Sequence, residues 1–384
     1  MTEDAYAEWA GAPRRVVYDA EEIALDPPRV FPQADLAFFG ETPPAYRFPA
    51  ISVTTLRHVV VRGKSNLLTP PEAILHHGLF DAEREILPEE FYVRLVTQRE
   101  QGGAAWAPGD PFAVDYIPEA AAFTDHVAFN YAHWLTEVLP RIAAFVRDAP
   151  AKVPLILDAD LHANILRSVE LVAPDFPIHR LAAHELLRVG TLHAVSVTGY
   201  VPFNLKPQPT EEIQHGVFSR QALTGAVDAL RAAIPGAEAG GARPKYVIRR
   251  NSVLRKILNE AAVEEALVAR GFTVLEPERL SLDEQVAIYS NAGMVVGATG
   301  AAMANRVFCR PDCPVVSLTP RFLGTAFWYW RRMSAGANAG PVLYVSGPQT
   351  TPMEDPWEAL AAHQDFEIRV ADVLDAVDAA EALV

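Results

Sequence analysis

The chain has 384 residues against roughly 100–200 for a typical domain, so two domains are expected. Half of the residues are apolar and 21% are charged, a globular mixture that argues against a disordered or fibrous chain. Thirty-three Lys and Arg against 48 Asp and Glu leave a net charge of −15, which argues against a general nucleic-acid binder but not against one small basic pocket for a phosphorylated ligand.

The first 56 residues are proline-rich and read as an irregular segment, with weak strand signals following at Arg57–Arg62 and around Ala73–Leu79. From Tyr116 the pattern sharpens: Ala120–Phe123 is a short apolar run, and an amphipathic helix is predicted from Asn130 to Arg147, kinked near Pro140. Val153–Leu157 reads as a buried strand, Leu161–Val172 as a helix, and Ile178–Leu181 and Leu192–Val197 as further strands. An Ala/Gly/Pro stretch at 234–244 reads as a helix end followed by a linker. A second alternating series follows, with strands at Tyr246–Arg249, Phe272–Leu275, Met294–Val296 and Val315–Leu318. Its helices are Ala261–Arg270, a capped helix opening at Ser281, Ala301–Phe308 and a terminal Val370–Leu383. Alternation of this kind predicts doubly wound α/β halves with a ligand cleft between them.

Cys309 and Cys313 are the two cysteines, too few for a disulfide scaffold and without two further ligands at zinc-finger spacing. No basic n-region with an apolar h-region opens the sequence, and no stretch reaches the ~18–20 apolar residues of a membrane span. The expectation is a soluble cytoplasmic protein, with room for peripheral association at the inner membrane face.

Three segments carry candidate chemistry. In Asn130-Tyr-Ala-His-Trp-Leu-Thr-Glu137, His133 and Glu137 are four apart and share one helix face, which suits a general base and its partner as well as two metal ligands. A solvated helix face or a core histidine is the plain alternative. In Arg249-Arg-Asn-Ser-Val-Leu-Arg-Lys256, four basic groups follow a strand, where guanidinium forks suit phosphate oxygens. In Val295-Val-Gly-Ala-Thr-Gly-Ala-Ala302, a strand runs into a Gly-x-x-Gly turn opening a helix, whose N–H groups can meet a phosphate. Asp158-Ala-Asp160 mimics an Asp-x-Asp metal motif, although an N-cap at Asp160 explains it more simply. Phe327-Trp-Tyr-Trp-Arg-Arg332 has rings that suit stacking on a base or sugar, but core packing explains it too.

In order and spacing over about 115–320, these segments resemble glycosyltransferase family 61. The family's Asn-x-x-His-x-x-x-[Glu/Asp] helix followed by Leu-Pro is met by Asn130, His133, Glu137, Leu139 and Pro140. Its basic stretch is met by Arg250, Arg255, Lys256, Asn259 and Glu260, and its glycine loop by Gln285, Gly297, Gly300, Ala301 and Asn305. The family's loop His is Thr299 here, and its second loop Gly is Ala302.

The resemblance implies a GT-B-like fold, two Rossmann-like domains facing an interdomain cleft. It implies transfer with inversion from a nucleotide-sugar donor to a hydroxyl of a glycan or related acceptor, without cofactor or bound metal, and a place in surface-polysaccharide synthesis like that of bacterial members. On this reading residues 57–235 form the acceptor-side domain, 236–369 the donor-side domain and 370–384 a terminal helix. Glu137 would take the acceptor proton with His133 assisting, or the reverse, and Asn130 and Trp134 fall on the acceptor side. Donor contacts would come from Arg250, Arg255, Lys256, Asn259, Gln285, Gly297, Thr299, Gly300, Ala301, Ala302 and Asn305. Neither the sugar, nor the base, nor the oligomeric state is legible. Two other classes fit the same segments: an inactive sugar-nucleotide or glycan-binding protein of the same fold, and an NAD(P)-dependent dehydrogenase or epimerase built on Gly297–Gly300.

Overall fold

The computed structural model describes residues 1–39, 43–71, 73–79, 95–96, 105–106, 115–149, 151–183, 185–201, 216–237, 243–249, 254–321, 328–350 and 364–384. The chain divides into two compact units. One comprises Met1–Ala20 and Pro49–Lys206, the other Glu21–Phe48 and Pro207–Val384. The Ala/Gly/Pro stretch at 234–244 lies inside the second unit.

The first unit is built on a six-stranded mixed sheet. Its parallel part runs Leu186–Val195, Asp115–Ala122, Leu155–Asp158 and Ile178–Leu181; Ile51–Arg62 and then Arg14–Tyr18 extend it antiparallel beyond Leu186–Val195. One face buries Leu56, Val59, Ile156, Leu181, Val189 and Leu192 with Tyr6 of the N-terminal helix Glu3–Ala10. Phe145, from the helix Leu139–Arg147, packs against Phe123 and the ring of His193. The order matters for function. The chain winds from Asp115–Ala122 to its neighbours on one side, then returns to place Leu186–Val195 on the other. A crevice outside the carboxyl ends of these two strands is where open α/β sheets bind ligands.

The second unit carries a six-stranded, all-parallel sheet in the order Phe272–Leu275, Lys245–Ile248, Met294–Ala298, Val315–Arg321, Val342–Pro348 and Arg29–Phe31. The first five follow the doubly wound order 2-1-3-4-5, with the switch point between Lys245–Ile248 and Met294–Ala298. The helices Glu260–Ala269 and Val370–Glu381 cover one face through a core that includes Val247, Val296, Leu318, Val345, Val373 and Val377. Gly271, at φ +83°, ends the first of these helices in the left-handed region that glycine adopts without a Cβ clash. The helix Leu282–Ser290 opens with the expected capping box between Ser281 and Glu284.

The first 56 residues are not the irregular segment expected. They supply a helix at Glu3–Ala10, an edge strand to each large sheet, and an antiparallel pair of Glu21–Ala24 with Ala45–Phe48. The signal around Ala73–Leu79 amounts to isolated bridges at Leu75 and His76. The helix Arg220–Ala233 ends at the Ala/Gly/Pro stretch where a helix end was expected, whereas the strand Val342–Pro348 falls outside the elements expected. Ala301–Phe308 is helical, but of the tighter 3-10 type.

Candidate active site

The predicted helix from Asn130 to Arg147 is present in three parts: an α-helical turn at Tyr131–His133, a π-helical stretch at Trp134–Val138, and an α-helix at Leu139–Arg147. The wide stretch has a cause in the sequence. Pro140 has no N–H, and in an α-helix its ring would collide with the carbonyl of residue 136. The ladder widens instead, and the Leu139 N–H bonds Trp134 five residues back. This places Glu137 in the bulge, where the Thr198 hydroxyl donates to its backbone carbonyl at 3.2 Å.

His133 Nδ1 lies 2.5 Å from Glu137 Oε1, and since a carboxylate only accepts, the ring donates. The backbone N–H of Val201 donates to Glu137 Oε2 at 3.0 Å. Thr198 and Val201 follow the strand Leu186–Val195, so the pair stands at the switch point of the first unit's sheet. Both side chains are largely buried. Burial favours a neutral imidazole, but the charge and hydrogen bond of Glu137, with Asp125 adding and His126 opposing, hold the His133 pKa above 6.5.

Asp125 and His126, missed by the motif reading, follow the strand Asp115–Ala122 directly. Their side chains meet at 3.3 Å. Burial pushes the Asp125 carboxyl up, yet His126, Arg141 and the Val127 N–H together outweigh it and leave it at about 2. The pair was legible as an Asp-His step just beyond an apolar strand, a position that favours sites over packing.

Asn130 and Trp134 turn out to hold the helix in place. The Asn130 side-chain oxygen accepts from the Ala132 N–H at 3.0 Å as an N-cap. Trp134 is fully buried, and its indole N–H donates to the Ser168 hydroxyl at 2.8 Å. Asp158 accepts backbone N–H groups from Lys64 at 2.6 Å and Asp125 at 3.0 Å, one on each oxygen. Burial nevertheless pushes its carboxyl up to about 6. Asp160 pairs with Lys64 Nζ at 2.7 Å, and the helix Ala163–Val172 is capped by His162 rather than by Asp160 as expected.

In the second unit the described donor residues fall at or after the strands Lys245–Ile248 and Met294–Ala298, with Gln285 on the helix Leu282–Ser290. Arg250 lies outside the described residues. Arg249 is tied to Glu264, at 2.9 Å through Nε, and to Glu276 at 3.4 Å. Arg255 is half-buried and holds φ +56°, a left-handed conformation that costs a non-glycine residue of order 1–3 kcal/mol. Lys256 is exposed. Gly297 permits a close approach, because a Cβ there would fall 2.8 Å from Ile248 Cβ and 3.0 Å from Met303 Sδ. Thr299 and Gly300 are buried, and Ala301 and Ala302 form the accessible part of the turn. Thr299 therefore sits in the wall of the turn rather than on its open face. Trp330 of the aromatic run is fully buried, in line with packing; Phe327 lies outside the described residues.

Three of the donor-side motif residues have their polar ends engaged within the fold. The Asn305 amide donates to Gln285 Oε1 at 2.6 Å, and Gln285 Nε2 donates to the Leu280 carbonyl at 3.0 Å. These bonds lock the 3-10 helix behind the glycine turn to its neighbouring helix. Asn259 grips Ile368 twice, accepting its N–H at 3.0 Å and donating to its carbonyl at 2.6 Å. Replacing Asn259 with Ala orphans both backbone groups and is expected to lower stability by about 1–3 kcal/mol, read from urea unfolding. An unchanged midpoint would show that water satisfies both groups.

Among the described residues no group of three or more His, Cys, Asp or Glu could hold a metal ion. Both cysteines are free and buried. No helix among the described residues is long and apolar enough to cross a membrane.

Two α/β units, each with polar side chains at the carboxyl edge of a sheet at its switch point, define an α/β protein with the ligand-binding edges of doubly wound folds. Residues 131–316, from the His133–Glu137 helix into the strand Val315–Arg321, match the family model for Glycosyltransferase 61. That match assigns this part of the chain to glycosyltransferase family 61 and supports a glycosyltransferase. No curated protein matches the chain.

Proposed function

We propose that the chain is an inverting glycosyltransferase of GT-B type, in which the first unit activates the acceptor hydroxyl and the second holds the nucleotide sugar. The observation that carries the reading is the Glu137 carboxylate, held by His133 Nδ1 at 2.5 Å and the Val201 N–H at 3.0 Å. With both oxygens engaged, Glu137 orients the ring and balances its charge, and proton abstraction falls to His133 through Nε2, its other ring nitrogen. The acceptor hydroxyl then gives its proton to Nε2 as its oxygen attacks the anomeric carbon. The bond from that carbon to the diphosphate oxygen breaks on the opposite face. Arg250, Arg255 and Lys256, with the open turn at Ala301–Ala302, meet the charge developing on the leaving diphosphate.

A metal-independent reaction is part of the same reading. Support comes from Asp158 of the Asp-x-Asp pair, whose two oxygens each accept a backbone N–H. The role in surface-polysaccharide synthesis rests on resemblance to bacterial members of the family.

The test is thermal stability with UDP, GDP, CMP, dTDP, NAD⁺ and NADP⁺, each with Mg²⁺ and with EDTA. A ligand at 100 times its Kd stabilises by about 2.7 kcal/mol, which reads as a shift of several degrees. The expected result is a shift with one nucleotide of the first four, unchanged by EDTA. A shift with NAD⁺ or NADP⁺ alone would overturn the transferase mechanism in favour of a dehydrogenase or epimerase. A shift abolished by EDTA would overturn its metal independence.

A further inference from the structure

The acceptor side of the first unit needs a surface that touches sugar, and neither Asn130 nor Trp134 presents one. The exposed aromatic ring nearest the His133–Glu137 pair in sequence is Phe129, one residue before the helix cap and 53% exposed. Buried Asp158 ends its strand and ties together two separate segments through the N–H groups of Lys64 and Asp125. The Thr124 hydroxyl adds a second tie, donating to the Ser65 carbonyl at 2.7 Å. Lys64 is held at φ +61°, a left-handed conformation uncommon for a lysine. Its Nζ sits over one face of the Phe129 ring, 5.3 Å from the centre, and 2.7 Å from Asp160 Oδ1. The Lys64 hydrogen bond keeps Asp160 ionised, and 66% of that side chain faces water.

We propose that Phe129 and Asp160, both positioned by Lys64, form the acceptor-binding subsite, taking a neutral saccharide whose C–H face lies on the Phe129 ring face opposite Lys64 while an adjacent hydroxyl bonds Asp160. The chemistry fits one class of ligand. A pyranose has an apolar face of axial C–H groups and an equatorial rim of hydroxyls, so it matches an aromatic face with an exposed carboxylate beside it. A charge-neutral Lys–Asp pair does not select for an anionic sugar. The subsite rests on the transferase reading, since it supplies that reaction with its second substrate.

The experiment measures fluorescently labelled full-length protein on an array of unprotected mono- to tetrasaccharides, with wild type, Phe129→Ala, Phe129→Tyr and Asp160→Asn. The same proteins are melted with UDP, GDP, CMP and dTDP. Wild type is expected to bind a subset of saccharides, Phe129→Ala to lose about tenfold or more in affinity for that subset, and Phe129→Tyr to recover it. Asp160→Asn should narrow the subset to sugars with fewer vicinal hydroxyls. Nucleotide-induced shifts should be the same in all four proteins. Equal saccharide binding by wild type and Phe129→Ala, or no saccharide binding at all, overturns the subsite while a surviving nucleotide shift leaves the transferase reading standing. Loss of the nucleotide shift in Phe129→Ala also overturns it, because the ring would then carry the donor's base. Absence of both nucleotide and saccharide binding in wild type is the separate failure of the transferase reading.

Discussion

Replacing His133 with Ala is expected to lower kcat/KM by about 10²–10⁴-fold, the range that a positioned general base contributes, while nucleotide-induced stabilisation stays within error of wild type. Only the neutral ring accepts a proton. Activity should therefore rise with pH through the His133 pKa, which lies above 6.5. The groups that set it are Glu137, Asp125 and His126. Glu137→Gln removes the strongest interaction raising it, and the limb of the pH profile should move to lower pH as burial prevails. That shift separates the two assignments left open by the motif. If Glu137 itself takes the proton, its replacement by Gln abolishes the pH-dependent limb instead of moving it. Stability carries the same linkage with the opposite dependence. His133 binds its proton more tightly folded than unfolded, so its contribution is complete below about pH 6.5 and is lost as pH rises through the folded pKa.

The largest expected stability effect comes from Trp134→Ala, at about 3–5 kcal/mol. The indole is fully buried and donates to Ser168, so truncation opens a cavity between the π-helical stretch and the helix Ala163–Val172. The Ser168 hydroxyl keeps its own bond to the Ile165 carbonyl at 2.6 Å, which confines the loss mainly to packing. Trp134→Phe should recover well over half of it. Urea unfolding checks both, and a loss below about 1 kcal/mol for the Ala variant would mean that the helix collapses onto the vacated space.

Much of the candidate site was readable without coordinates. The four-residue spacing of His133 and Glu137 put them on one face because helical periodicity leaves little choice. Pro140 announced an irregularity as well. Its form, a π-helical stretch with Glu137 inside it, depends on how the ladder accommodates a missing N–H. The Val201 N–H that fixes the second carboxylate oxygen is 64 residues away, and sequence spacing does not encode such an approach. Gln285 and Asn305 look like ligand contacts in a motif, yet they bond each other across 20 residues. Asn259 looks like one too, and holds Ile368 109 residues on. Polar side chains in a motif thus divide into those that meet substrate and those that hold the loop, a division decided by tertiary partners. The residues before Ile51 failed for another reason: their strands are three to five residues long and lie at sheet edges, too short for periodicity to register.

The edge strand Arg29–Phe31 sets a timetable for synthesis. Phe31 pairs with Val345, so the second unit's sheet joins segments separated by more than 300 residues of chain. At 5–20 residues per second, the early segment waits roughly 15–60 s for its partner strand. The second unit cannot complete its sheet until most of the chain has been made. A ribosome-bound chain stopped before Val342 should leave Arg29–Phe31 open to protease, and extension past Pro348 should protect it.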